Sequence, residues 1–320
     1  MRKTPVVLLL AGVASSVLLV GCGSAAARRV RLRSQVATER VVLISWDGSQ
    51  EAHVRESMAQ GLLPNLKELA DEGGFAEVYI SDHVTETMTG HVEMLTGYPP
   101  EITGVFNPHR GSRQPVLAEL FVMTRLEGFF GEESVETVFL ASKSWRLGSL
   151  PGQPYALVRS VLDIWDGDRD RPAAVTGPLA VQYVSLGAQS GRKLFCFIHF
   201  HDPDVAGHSH GENSPEYEAA LETCDYWLGR IRAVLAETSL QAPGAIMVTT
   251  DHGFIENGYG HADARRAWLA TNWGRLARGD QKDIVPTILS MYGIDYHQFL
   301  PPLPGRPLLS GASRPAAGVR

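Results

Sequence analysis

Five short apolar runs, 40–46, 76–80, 135–141, 193–200 and 244–250, recur along the chain with helical patterns between them. Several are apolar at nearly every position, as in RVVLISW and KLFCFIHF. A strand that is apolar on both faces needs cover on both faces. In an alternating chain that means a mostly parallel sheet with helices above and below. Helical patterns lie near 52–72, 90–96, 115–126, 176–188, 215–237 and 283–293. The best marked begins at Ser214-Pro215, a capping residue and then proline at the first helical position. Tyr217, Leu221, Cys224, Leu228, Ile231 and Leu235 follow at steps of four and three, which is one face of a helix. The fold class expected is α/β, a three-layer α/β/α sandwich. A chain of 320 residues, 44% hydrophobic, can bury the core of one large domain, expected over 39–300.

The first residues read differently. MRKTPVVLLLAGVASSVLLVGCGS has Arg2 and Lys3, then an apolar stretch, then small residues, which is a secretory signal pattern. The stretch 6–20 is short for a membrane span, which needs about 20 residues. Leu19-Val20-Gly21-Cys22 resembles a bacterial lipobox, implying cleavage before Cys22 and acylation of its sulfur. The expected plan is a signal peptide over 1–21, a tether over 22–38, and an exported protein held on a bacterial membrane, periplasmic or outer face. The lipid bilayer is then a partner. Residues 301–320, rich in Pro, Gly and Ala, are expected to be loose. Cys196 and Cys224 fall on apolar runs and read as two buried, unpaired thiols. A net charge of −6 argues against a nucleic-acid polymer as partner.

Ligands of such a sheet sit beyond the carboxyl ends of the strands. Asp47-Gly48 follows the first run, HDPDVAGHSHG follows 193–200, and DHGF and GYGHAD follow 244–250. One Asp-Gly is ordinary turn chemistry. Asp47, Asp204, His208, Asp251, His252 and His261 at successive strand ends are harder to explain as turns. Burying several carboxylates together is costly without cations. Imidazole with carboxylate and no thiolate suits zinc, manganese or iron better than magnesium or calcium.

These motifs resemble the alkaline phosphatase superfamily, and within it the type I phosphodiesterase / nucleotide pyrophosphatase family. ISWDGS, TMTGHVEMLTG, PDVAGHSHG, TTDHGF and DIVPTIL stand in the family's order across roughly residues 40 to 294. The resemblance implies an alkaline-phosphatase-like fold and two divalent metal ions, expected to be zinc. One site would take Asp204, His208 and His261. The other would take Asp47, Asp251 and His252, with the oxygen of Thr87. His210 is an alternative ligand, and His199 and His201 flank the site. Thr87 would be the nucleophile, since only it stands four residues before His91 and eight before Leu95. Thr85 and Thr89 are its rivals. A threonine cannot become the formylglycine of sulfatases.

The implied activity is metal-dependent hydrolysis of a small phosphoester, most simply a phosphodiester. The alternatives are a phosphomonoesterase or phosphonate hydrolase on the same metals, or a binding lipoprotein without turnover. Gly90 and His91 are expected to lie at the substrate. Met88 and Gly90 depart from the family's Thr-Phe-Pro-Asn-His pattern, which weakens the nucleotide reading specifically. Lys143 and Arg146, in FLASKSWRLG, are either substrate-neutralising cations or an exposed basic loop.

Overall fold

The computed structural model describes residues 37–107, 114–238 and 244–310. The signal peptide, Cys22 and nearly all of the expected tether lie outside the described residues. Among the described residues, no helix is long and apolar enough to cross a membrane.

The strands are β1 (Arg40–Trp46), β2 (Gly74–Tyr79), β3 (Val135–Leu140), β4 (Ile164–Asp166), β5 (Lys193–Phe200), β6 (Ala245–Thr249), β7 (Arg266–Thr271) and β8 (Gly279–Asp280). They form one eight-stranded sheet in the order β4-β3-β5-β1-β6-β7-β2-β8. Pairings are parallel from β4 through β6; β7 runs antiparallel to both β6 and β2. The helices are α1 (Glu51–Gln60), α2 (Pro64–Glu72), α3 (Thr87–Thr96), α4 (Pro100–Thr103), α5 (Val122–Phe130), α6 (Ser144–Leu147), α7 (Ala173–Gln189), α8 (Asp202–His210), α9 (Pro215–Thr238) and α10 (Ile284–Met291).

Side chains of β1 alternate between two cores, as the pleat requires. Val41 and Leu43 join Met88, Val92 and Leu95 of α3, Leu126 of α5 and Ile288 of α10. Val42, Ile44 and Trp46 join Val54 of α1, Leu66 of α2, Val184 of α7 and Leu228 of α9. This is the three-layer sandwich. Each fully buried Leu, Ile or Val contributes about 1.5–3 kcal/mol, so the two cores fix where the strand ends fall. All six residues of the α9 stripe are buried, and the Ser214 Oγ accepts from the Tyr217 N–H at 3.1 Å. Cys196 and Cys224 are buried and unpaired.

Several sequence expectations need correction. The helix expected over 52–72 is two helices, because Gly61 adopts φ +82° and ends α1 before Pro64 opens α2. The pattern at 115–126 is a short 3-10 turn followed by α5. Strands β4 and β8 went unread. They are three and two residues long, too short to show an alternation. Residues 301–310 are not loose. Leu308 is 1% exposed, its N–H donates to Thr287 Oγ1 at 2.9 Å, and the Arg306 N–H donates to Asp283 Oδ1 at 2.8 Å.

Candidate active site

Strands β5, β1 and β6 are neighbours at the centre of the sheet, so the segments leaving their carboxyl ends converge. Asp47 follows β1, Asp204 lies in the first turn of α8 after β5, and Asp251 and His252 follow β6. All four are at most 2% exposed. Gly48, at φ +67°, turns the chain here, and a Cβ on it would come within 2.7 Å of the Phe254 ring. The Asp47-Gly48 pair is therefore a turn as well as a strand-end acid.

Each carboxylate has one oxygen held and the other left over. Asp47 Oδ2 accepts from His199 Nε2 at 3.0 Å and Lys143 Nζ at 2.9 Å. Asp204 Oδ2 accepts from Lys143 Nζ at 2.6 Å. Asp251 Oδ1 accepts from the Gly48 N–H at 3.1 Å. Their other oxygens, Asp47 Oδ1, Asp204 Oδ1 and Asp251 Oδ2, are buried with no hydrogen-bond partner, and so is His252 Nε2. These atoms face one another. His252 Nε2 lies 3.6 Å from Asp47 Oδ1, 3.9 Å from Asp204 Oδ1 and 3.3 Å from Asp251 Oδ2.

The imidazoles repeat one arrangement. A carbonyl oxygen can only accept, so the ring nitrogen beside it carries the proton. His252 Nδ1 donates to Gly253 O at 3.0 Å, His208 Nδ1 to Tyr259 O at 2.7 Å, and His261 Nδ1 to Thr85 O. Each ring thus presents Nε2, the arrangement metal-binding histidines use to fix tautomer and orientation. His261 stacks on His252 with centroids 3.9 Å apart. One donor atom each of Asp204, His208 and His261 fall within 4.8 Å of one another, as do those of Asp47, Asp251 and His252. The donor set fits two divalent cations, with the orphaned oxygens and Nε2 as ligands.

The charges agree. Burial raises the Asp47 carboxyl, but Lys143 and the His199 hydrogen bond outweigh it and hold it well below the usual range. Burial and Asp47 also raise Asp204, yet Lys143 and His208 bring it to about 2. At Asp251, burial and the Asp47 charge outweigh His91 and Lys143 and push it up to about 8. Burial lowers His252, and burial with His252 lowers His261 to about 4. The Asp204 carboxylate, with Oδ1 3.3 Å from His208 Nε2, raises His208.

Thr87 opens α3, with its hydroxyl 2.9 Å from Lys143 Nζ. Its rivals are engaged elsewhere. Thr85 donates to His261 O, and Thr89 to Val84 O and Glu86 O. Among the three hydroxyls, the Thr87 contact is the one that leads to the carboxylates.

The two residues expected at the substrate, His91 and Gly90, are both buried. His91 is 0% exposed. Its Nδ1 donates to Thr87 O at 2.8 Å, and its Nε2 lies 2.8 Å from Ser45 Oγ. The helical i, i+4 step carries the ring under Thr87 against the sheet, so it supports the site from beneath. Gly90 is likewise buried: a Cβ there would come within 2.9 Å of Asp251 Cβ. Glycine at this position admits the Asp251 segment, and no side chain is accommodated. Nor are Lys143 and Arg146 an exposed loop; both are 5% exposed. Arg146 Nη2 is 3.6 Å from Glu86 Oε2. His210 is exposed, and His201 Nδ1 donates to Ser142 O at 2.6 Å, so neither is brought to the cluster.

Sequence reasoning placed His199 at the flank of the site but missed Ser142 and Gln281. The Ser142 N–H donates to His199 Nδ1 at 3.4 Å, which leaves the Nε2 proton for Asp47. Gln281 Nε2 donates to Thr250 O and Asp251 O, both at 3.2 Å. A histidine inside a strand offered a faint signal; a lone glutamine offered none. A third acidic group, Asp82, Glu93 and Asp280, is answered by resident cations. Lys282 bonds Asp82, and His83 Nε2 lies 2.9 Å from Glu93.

Sheet order and strand-end site together define an alkaline-phosphatase-like protein. The alkaline phosphatase from the Antarctic bacterium TAB5 superposes with a TM-score of 0.55 at 12% identity, over 81% of this chain and 99% of that one. The lipoteichoic acid synthase LtaP from Listeria monocytogenes gives 0.56 at 14%, over 84% and 78%. More narrowly, residues 41–296 match the type I phosphodiesterase / nucleotide pyrophosphatase family, and the chain belongs to it. Among curated relatives, human ectonucleotide pyrophosphatase/phosphodiesterase family member 1 is 26% identical over 222 residues, 68% of this chain and 24% of the relative. Human family member 7 is 25% identical over 270 residues, 78% of this chain and 54% of the relative. The chain thus spans about a quarter to a half of those relatives' length.

Proposed function

We propose that this chain is a phosphoester hydrolase of the phosphodiesterase type, with Thr87 as nucleophile and a centre of two divalent cations. The observation that carries the reading is the set of orphaned donors. Asp47 Oδ1, Asp204 Oδ1, Asp251 Oδ2 and His252 Nε2 are buried, unpartnered and mutually facing. Lys143 answers only the Oδ2 atoms of Asp47 and Asp204, so the remaining acceptors repel unless Asp251 holds a proton or a further cation lies among them. Asp204, His208 and His261 would hold one ion; Asp47, Asp251, His252 and the Thr87 oxygen would hold the other. Imidazole and carboxylate without thiolate favour zinc. When bound, such ions stabilise the charge that develops on entering and leaving oxygens in an in-line displacement.

The chain's own residues do the rest. His199 and Gly48 aim the carboxylates, and His91 holds the first turn of α3 from beneath. Thr87 receives the phosphoryl group as the first alcohol leaves, and water then removes it. Lys143, charged and within reach of Thr87, faces the growing negative charge on the phosphoryl oxygens. The leader reading adds a further proposal: after processing at Cys22 the domain is exported and lipid-anchored, with the tether ending near the start of β1.

The test is hydrolysis of bis-p-nitrophenyl phosphate against p-nitrophenyl phosphate by the zinc-supplemented protein, with Thr87→Ala as control. A diester preference that the substitution abolishes is expected. A monoester preference, or turnover that survives Thr87→Ala, overturns the reading.

A further inference from the structure

Gln281 is fully buried against the strand end that carries Asp251. Its Nε2 donates to Thr250 O and Asp251 O, both at 3.2 Å. Carbonyl oxygens only accept, so the amide turns its NH2 to them. Its Oε1 then faces His83 Nε2 at 2.7 Å, and that nitrogen must donate. The other ring nitrogen of His83 lies 2.7 Å from Val84 O, so it carries a proton too. With both nitrogens donating, His83 is an imidazolium. The ring is buried, and a buried cation needs an anion. Glu93 supplies it: the side chain is 1% exposed, with Oε2 2.9 Å from His83 Nε2. Burial lowers His83, but Glu93 outweighs burial and raises it. The other acids near Glu93, Asp82 and Asp280, face Lys282.

A buried ion pair is a poor source of net stability compared with apolar residues of the same volume. The placement of this one gives it another use. Glu93 lies on α3, the helix that Thr87 opens. Val84 O, which accepts from His83, also accepts from Thr89 Oγ1 at 2.7 Å and from the Glu86 N–H at 2.8 Å. Thr85 O accepts from His261 Nδ1. The segment 83–87 therefore reaches one candidate cation site through Thr85 and His261. It reaches the other through His83, Gln281 and the Asp251 carbonyl.

We propose that His83 is a positioning residue: its imidazolium, balanced by Glu93, locks the Gln281 amide and so fixes the Asp251–His252 segment against the segment that ends in Thr87. The proposal deepens the functional reading above and rests on it. An uncharged His83, protonated only at Nδ1, would turn a bare nitrogen to Gln281 Oε1. Two acceptors would then face each other, and the amide would leave Thr250 O and Asp251 O. Glu93 thereby acts on the Asp251 carboxylate without touching it.

Glu93→Gln keeps the shape and removes the charge, which makes it the test. In protein carrying isotope-labelled histidine, the wild-type NMR spectrum is expected to show a buried imidazolium with both ring protons slow to exchange, absent from the spectrum of His83→Gln. Glu93→Gln is expected to lose the Nε2 proton of that ring and to weaken the binding of one zinc ion by about tenfold. At saturating zinc its kcat is expected to fall while KM stays within about twofold of wild type. Glu93→Asp retains the charge and is expected to keep most of the zinc affinity. Gln281→Met leaves the ion pair and breaks the link, so it is expected to weaken zinc binding while the imidazolium persists; it carries the test should Glu93→Gln fail to fold. A neutral His83 in the wild type, or unchanged zinc affinity in folded Glu93→Gln or Gln281→Met, overturns the proposal. Should the wild type bind zinc but hydrolyse no phosphoester, the functional reading fails, and the spectra and zinc affinities alone then decide the role of His83.

Discussion

The ammonium of Lys143 lies 2.6 Å from Oδ2 of Asp204, and the same nitrogen bridges to Asp47 and Thr87 at 2.9 Å each. One lysine thus ties together residues from both halves of the proposed cation centre. It carries its charge firmly, because Asp47 and Asp204 outweigh the effect of burial and raise its pKa. A metal ion entering beside Asp204 meets that positive charge. Two unit charges about 4 Å apart repel by roughly 4 kcal/mol at the effective dielectric of protein sites. Lys143→Met is therefore expected to tighten the weaker class of zinc binding by at least about tenfold, measured by titration against a competing chelator, while lowering kcat. Weaker zinc binding in the variant would contradict this placement of Lys143.

Metal uptake is expected to release protons. Without a bound metal, burial and Asp47 push Asp251 up to about 8, and the neighbouring Asp204 carboxylate raises His208. Both groups must lose protons to serve as ligands. The sign follows: affinity for zinc rises with pH and levels off above about 8, where Asp251 is already ionised. Calorimetry at pH 7 in buffers of different ionisation enthalpy should show about one proton or more released per chain. Heats independent of the buffer would oppose this.

Gly90→Ala tests how tightly α3 packs on the Asp251 segment. The new Cβ would stand 2.9 Å from Asp251 Cβ and 3.0 Å from Asp251 O. Overpacking of this kind costs about 1–3 kcal/mol. A lower denaturant midpoint together with weaker metal binding is expected; a neutral change in both would show that the contact yields freely.

His91→Ala separates support from substrate contact. Its ring bridges Ser45 Oγ and Thr87 O inside the protein, and its removal leaves a buried hydroxyl unpaired and a cavity. A stability loss of about 2–4 kcal/mol is expected, with KM near the wild-type value. A raised KM at unchanged stability would restore His91 to the substrate side.

Much of this site was legible because the chemistry is local to strand ends. Asp47, Asp204, Asp251 and His252 each fall within a few residues of an apolar run, so the run both predicts the strand and places the acid. The two cores were legible for the same reason, since β1 and β5 are apolar on both faces. What the chain order could not show was depth. Lys143 read either as a substrate-neutralising cation or as part of an exposed loop, and the turn before α6 drives its amine among the carboxylates. Gly90 and His91 read as substrate contacts because they neighbour Thr87. The helical repeat instead turns one against Asp251 and the other under Thr87. Strands β4 and β8 depend on tertiary pairing and have too few residues to announce themselves.

The most direct test of the central claim is activity against metal content in one titration. Chelator-treated protein is dialysed, zinc is added stepwise, and hydrolysis of bis-p-nitrophenyl phosphate is followed. No turnover without metal is expected, with full activity at about two zinc ions per chain and none at any zinc level in Thr87→Ala. Full activity in the chelated protein would contradict the account.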